Sequence, residues 1–122
     1  MIKLTLPGPI PSKKNSRNIF QMQGRTFNLP GKVYKKWHAM ARNYAITERR
    51  AEPMNVKGVQ IEFYFLDKRG RDLTNMAESI MDLLVDCQIL VDDKWQCTGP
   101  VHLIPCGIDK INPRAEVTLF MM

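Results

Sequence analysis

Along residues 56–66 the chain alternates: Val59, Ile61, Phe63 and Phe65 are apolar, while Gln60, Glu62 and Tyr64 carry polar groups. A period of two sustained over this length predicts the longest strand of the fold, with one set of side chains turned toward a core. Shorter stretches predict its neighbours. Ile2, Leu4 and Leu6 alternate with Lys3 and Thr5, and Pro7-Gly8-Pro9-Ile10-Pro11 ends that strand, because proline has no N–H for a central ladder. Residues 101–104 and 115–120 read as closing strands, joined by residues 107–113. A hairpin is expected through 19–22 and 25–27, turning near Gln23-Gly24.

Two segments switch to helical spacing. Pro30-Gly31 opens a helix expected from about Lys32 to Arg49, with Val33, Trp37, Met40, Ala41 and Tyr44 as its apolar stripe. Glu52-Pro53-Met54-Asn55 breaks the chain before the long strand. A second helix is expected from about Asn75 to Cys87, with Met76, Ala77, Ile80, Leu83 and Leu84 facing the core. Asn75, Glu78, Asp82 and Asp86 fall on another face, and Asn75 followed by Glu78 fits a capping box. The expected architecture is α+β: a single small domain over residues 1–122, with two main helices packed on a mixed β-sheet.

No apolar run approaches the roughly 18 residues of a membrane helix, and the first residues are too short and too alternating for a signal peptide. Cys87, Cys97 and Cys106 are odd in number and lack paired spacing, so they read as reduced thiols of a cytoplasmic protein. The net charge of +6 is unevenly spread. Residues 1–71 hold 15 Lys/Arg against 4 Asp/Glu, and residues 72–122 hold 3 against 8, so the halves carry +11 and −5. A basic first half points to a polyanionic partner. The acidic second half would repel that partner unless its carboxylates are folded away or neutralised by a metal.

The two signs meet at Lys68-Arg69-Gly70-Arg71-Asp72. Oxygen ligands for Mg²⁺ or Mn²⁺ beside phosphate-binding cations are the parts needed for metal-assisted cleavage of a nucleic-acid backbone. Asp72 precedes the second helix and Asp92-Asp93 follow it, so the turn must fold back along a helix of about 20 Å to approach Asp72. Each residue also has a plainer role: Asp72 as a helix cap or an ion pair with Arg71, Asp92-Asp93 as a turn. Glu78 could serve the capping box or reach a cation, and Asp82 reads as solvent-exposed or paired. Lys13, Lys14, Arg17, Lys68, Arg69 and Arg71 are the candidate phosphate contacts. His38 and His102 have no ligand spacing and read as structural.

The basic run, Asp72-Leu73-Thr74-Asn75, the helix containing Asp82 and the turn ending in Asp92-Asp93 resemble the RusA-type Holliday junction resolvases. The Pro-rich turn with Lys13-Lys14-Asn15-Ser16, and Gly24-Arg25-Thr26 leading into a helix with Tyr34, add to the likeness. The resemblance spans most of the chain, and its specific part is about residues 68–93. It implies a RusA-like fold and a small homodimeric endonuclease, often carried by phages and prophages. Such an enzyme makes paired nicks in four-way DNA junctions with Mg²⁺ or Mn²⁺, in recombination and repair. Asp72, Asn75 and Asp93 match the family's Asp-x-Asp-Asn core and later Asp, and Asn75 joins the expected DNA-binding set. Two positions depart: Thr74 stands for the second Asp of the core, and Glu78 for a lysine. The expectation is that Glu78 replaces the missing ligand, giving a catalytic and metal site of Asp72, Glu78 and Asp93 with Asp92 in support. The alternative is a non-catalytic or weakened branched-DNA-binding protein of the same fold. A module that meets an acidic protein partner is a third reading.

Overall fold

The computed structural model describes residues 1–12, 18–22, 25–29 and 31–122, the two short stretches as backbone alone. The long alternating segment forms β4 (Val56–Phe65), which lies inside a four-stranded sheet. The sheet order is β1-β6-β4-β5, where β1 is Ile2–Pro7, β5 Val101–Ile108 and β6 Arg114–Met121. β1 and β4 flank β6 antiparallel, while β5 runs parallel to β4 along the outer edge. The fold class is α+β with a mixed sheet, as the sequence predicts. β2 (Asn18–Met22) and β3 (Arg25–Leu29) pair as the expected hairpin; the turn at Gln23-Gly24 lies outside the described residues.

Alternation turns Ile2, Leu4 and Leu6, then Val59, Ile61 and Phe63, then Ala115, Val117 and Leu119 into one core. Two helices close it: α1 (Lys32–Ala45), continued by a 3₁₀ turn at Ile46–Glu48, and α2 (Leu73–Asp86). The five residues expected to face inward from α2 are all buried. On α1 the stripe is rotated from the expected one. Tyr34, Trp37, Ala41 and Ala45 are buried, whereas Val33, Met40 and Tyr44 are exposed. Trp37 fixes the rotation, because its Nε1 donates to Pro7 O at the end of β1 (2.8 Å). The two alanines then let the helix lie close to its neighbours.

Two further expectations are corrected. α2 starts at Leu73, so its N-cap is Asp72 and not Asn75; the capping box of Asn75 with Glu78 is not the device used. β5 continues beyond Ile104 to Ile108, through Pro105 and Gly107. A bulge opposite Phe63/Tyr64 lets the ladder resume with Gly107 and Ile108.

The β4–α2–β5 crossover decides where function can sit. Because β4 and β5 are parallel, the connections that follow them share one end of the sheet. Asp109 N donates to Phe65 O there (2.8 Å). At the far end of α2 the chain reverses at Gln88, in the left-handed region (φ 59°). It returns beside Met54, with Met54 N on Ile89 O (2.9 Å) and Val91 N on Met54 O (3.1 Å). A short helix, α3 (Trp95–Thr98), then leads into β5. Among the described residues, no helix is long and apolar enough to cross a membrane.

Candidate functional site

Between α2 and the first half of β5 lies an open cleft of about 340 Å³. Thr74, Glu78 and Asp82 line it from α2, Asp93 from the returning loop, and Val101 and Leu103 from β5. The three α2 residues stand four apart, so they form one stripe about 12 Å long. Ala77 and Met81, both buried, make an apolar floor beside it. The chain does fold back along α2, but the acids it brings beside Asp93 are Asp82 and Glu78; Asp72, the partner expected from the sequence, does not line the cleft.

Asp93 is exposed as a residue, yet its carboxyl loses water to the cleft wall. That burial, the hydrogen bond and charge of Asp92, and the charge of Asp82 together hold it above the usual carboxylate range. Asp92 shifts the opposite way. Its Oδ1 accepts from Asp93 N (2.8 Å), and that bond is the main reason its carboxyl stays low; Lys94 Nζ, 3.6 Å from Oδ2, adds to it. Asp92 thus caps its own turn, while Asp93 is the carboxylate turned into the cleft.

Asp72 is the hub of the α2 N-terminus. Its Oδ1 accepts from Thr74 N (3.0 Å), Thr74 Oγ1 (2.6 Å) and Asn75 N (3.4 Å), and its Oδ2 accepts from Asn75 Nδ2 (3.2 Å). The helix dipole favours a negative charge here. Thr74, at the position where the resemblance expects a second acid, spends its hydroxyl on Asp72. Asn75 is held the same way.

The basic loop divides into a brace, Arg71, and two exposed arms, Lys68 and Arg69. Arg71 is 19% exposed in its side chain, and its Nη2 meets Asp67 Oδ1 at 2.6 Å. Its Nη1 donates to Asp67 O (3.1 Å) and Arg69 O (2.8 Å), and the guanidinium lies 5.5 Å from the Phe65 ring centre. Asp67, through the Arg69 N–H first and Arg71 second, stays below the ordinary aspartate range. Arg71 therefore shapes the loop, while Lys68 and Arg69 are exposed, Arg69 with its Nη2 3.9 Å from Asp67 Oδ2. Lys13, Lys14 and Arg17 lie outside the described residues. His38 bridges the helices, 2.9 Å from Asp86 Oδ2, and the three cysteines are free thiols.

The sequence reads Asp82 as exposed or paired, although its four-residue spacing from Glu78 puts the two on one stripe of α2. What the sequence did not carry was which flank of α2 the returning loop would cover. The cleft's donors are carboxylate oxygens, which suit a hard divalent cation, and Mg²⁺ binds through as few as one or two carboxylates while keeping several waters. Among the described residues, no three of His, Cys, Asp or Glu converge on one point, so such an ion would be held by a pair of carboxylates and water. No protein-family model matches the sequence, and no curated protein matches it.

Proposed function

We propose that this protein is a metal-dependent endodeoxyribonuclease acting on branched DNA, in the manner of the RusA-type Holliday junction resolvases it resembles. The observation that carries the reading is the cleft in which Asp93 faces Glu78 and Asp82, on the helix that follows the basic loop. Like charges gathered in one cleft are costly unless a cation offsets them. Asp93 and Asp82 are the pair that would hold a divalent cation, with Glu78 reaching it directly or through water. Bound there, Mg²⁺ or Mn²⁺ would supply phosphate polarisation and an activated water. Lys68 and Arg69 bind flanking phosphates, Arg71 sets their loop, and Asp72 orients α2. The basic half supplies salt-dependent affinity for the junction arms. A homodimer matches the two-fold symmetry of a junction and gives two cuts at fixed separation. The cytoplasm suits its thiols.

A second reading, a branched-DNA-binding protein that does not cut, draws on a specific observation. Asp72 is engaged by the helix cap and Thr74 brings no charge, so the first turn of α2 offers the cleft no carboxylate.

The test is cleavage of a labelled four-way junction, with linear duplex as control, in Mg²⁺, Mn²⁺ and EDTA. Symmetric nicks that require metal and vanish in Asp93→Asn are the expected result. Tight junction binding without nicks in either metal would establish the second reading. If Glu78→Ala leaves cleavage rate and metal affinity unchanged, Glu78 is not a ligand. A stable monomer in sedimentation at working concentration would exclude paired nicking.

A further inference from the structure

Trp95 is 75% exposed, an unusual position for a side chain with so large an apolar surface. The other tryptophan, Trp37, is 4% exposed. The backbone that displays Trp95 is firmly held. Lys94 O accepts from Cys97 N (2.9 Å) and Thr98 N (3.0 Å), and Trp95 O accepts from Gly99 N (2.8 Å). Cys97 and Thr98 are buried. Gly99 has φ 64° and sits so tightly on β4 that a Cβ would lie 2.4 Å from Lys57 O. The ring is thus presented from a rigid turn, two residues after Asp93 and next to Lys94, whose side chain is 65% exposed.

We propose that Trp95 is a stacking platform for an unpaired nucleobase of the DNA strand that passes the Glu78–Asp82–Asp93 cleft. This rests on the nucleic-acid reading above and adds a subsite to it. Every base has a π face, so an exposed indole takes any of them without reading sequence. A base inside a duplex has both faces occupied by its neighbours, so the subsite favours unstacked bases at a branch or gap. Lys94, now loosely paired with Asp92, is the cation that a phosphate on the same strand can recruit. Because the turn also carries Asp93, a stacked base would fix how far along the strand the carboxylates act.

The two tryptophans make the test direct, because Trp37 is shielded and the DNA-responsive emission belongs to Trp95. Full-length protein in EDTA is titrated with a short oligothymidylate, a linear duplex and a four-way junction, following tryptophan emission and acrylamide quenching. The expected result is strong quenching and acrylamide protection of the exposed component by oligothymidylate and junction, with little change on duplex. Trp95→Ala should lower oligothymidylate affinity about tenfold and leave duplex affinity unchanged, while Trp95→Phe, which keeps a ring, should restore most of it. DNA binding that leaves Trp95 emission untouched, or equal affinity in Trp95→Ala, overturns this inference alone. No binding of any DNA overturns the nucleic-acid reading with it. Emission that blue-shifts and becomes protected with rising protein concentration, without DNA, would mean that a second copy covers the ring, which also overturns it.

Discussion

Thr74 donates its hydroxyl to Asp72 Oδ1 across 2.6 Å, so the residue standing where the resemblance expects an acid is a partner of the neighbouring acid. Structure and charge can therefore be separated at position 72. Asparagine caps a helix as well as aspartate does, whereas alanine does not. Asp72→Asn should keep unfolding free energy within about 0.5 kcal/mol of wild type, and Asp72→Ala should lose about 1 kcal/mol. Thr74→Val, which removes one donor to the carboxylate, should cost about 1 kcal/mol. Urea denaturation measures all three. If Asp72→Asn also cuts junctions at the wild-type rate, the charge at 72 has no part in catalysis.

Asp93 gives a pH signature. Its carboxyl titrates above the usual range in the folded chain, through cleft burial first and the Asp92 and Asp82 carboxylates after it. The fold then binds that proton more tightly than the unfolded chain does. The associated stability is complete below the unfolded value near 3.9 and is lost as pH rises through the folded value. Asp93→Asn removes the repulsion, so it should match wild type near pH 3.5 and exceed it at pH 7, by less than about 1 kcal/mol for so accessible a group. Mg²⁺ should narrow or reverse the difference at pH 7 by stabilising the wild type through binding. Urea melts at the two pH values, with and without Mg²⁺, decide it. A difference that does not vary with pH would remove Asp93 from the electrostatic account of the cleft.

The two arginines of this loop, two positions apart, should fail differently: Arg71 through stability, Arg69 with its neighbour Lys68 through DNA affinity. Arg71 is a fork closed on Asp67, on two carbonyls and over Phe65, a geometry that lysine's single ammonium does not reproduce. Arg71→Lys should lower the melting temperature by roughly 5 °C. Lys68→Ala and Arg69→Ala, both exposed, should leave it unchanged while each reduces the salt slope of DNA binding by about one. Calorimetry and binding titrations over a range of salt concentrations test the division. A large thermal loss in Lys68→Ala would contradict it.

Much of this fold is legible in the sequence, because period-two and helical patterns decide which side of an element is buried. The alternation of Val59, Ile61 and Phe63 and the inward set of α2 are read correctly on that basis. Errors arise where several local solutions share one pattern. Asp72, Thr74 and Asn75 can each cap a helix, and only the backbone of Asp72 (φ −91°, ψ 108°) tells which one does. Val33, Met40 and Tyr44 share helical spacing with Trp37, but the bond from Trp37 to Pro7 joins elements that no local pattern relates. Pro105 and Gly107 look like a loop until a bulge on β5 at Cys106, opposite Phe63 and Tyr64, keeps them in the ladder. The site was harder to read than the fold for the same reason: Asp82 meets Asp93 only through the reversal at Gln88 and the pairing with Met54.

Gly99 holds the end of that return path, and its replacement tests whether the path positions the cleft. Its φ of 64° lies where side chains are disfavoured, and the space a Cβ needs is filled by Lys57 O at 2.4 Å and Lys57 C at 2.6 Å. Neither atom can swing away, since both belong to the backbone of β4. Gly99→Ala must therefore push α3 off the strand, at a cost of roughly 2 kcal/mol or more. Because α3 follows Asp93 directly and precedes Val101, the cleft should open on both flanks. Metal affinity and junction cleavage should fall even at temperatures where the variant remains folded. Gly70→Ala, in a loop where a Cβ meets nothing within 4 Å, is the control and should leave stability unchanged. A stable Gly99→Ala protein with wild-type metal binding would show that the cleft does not depend on this junction of α3 with β4.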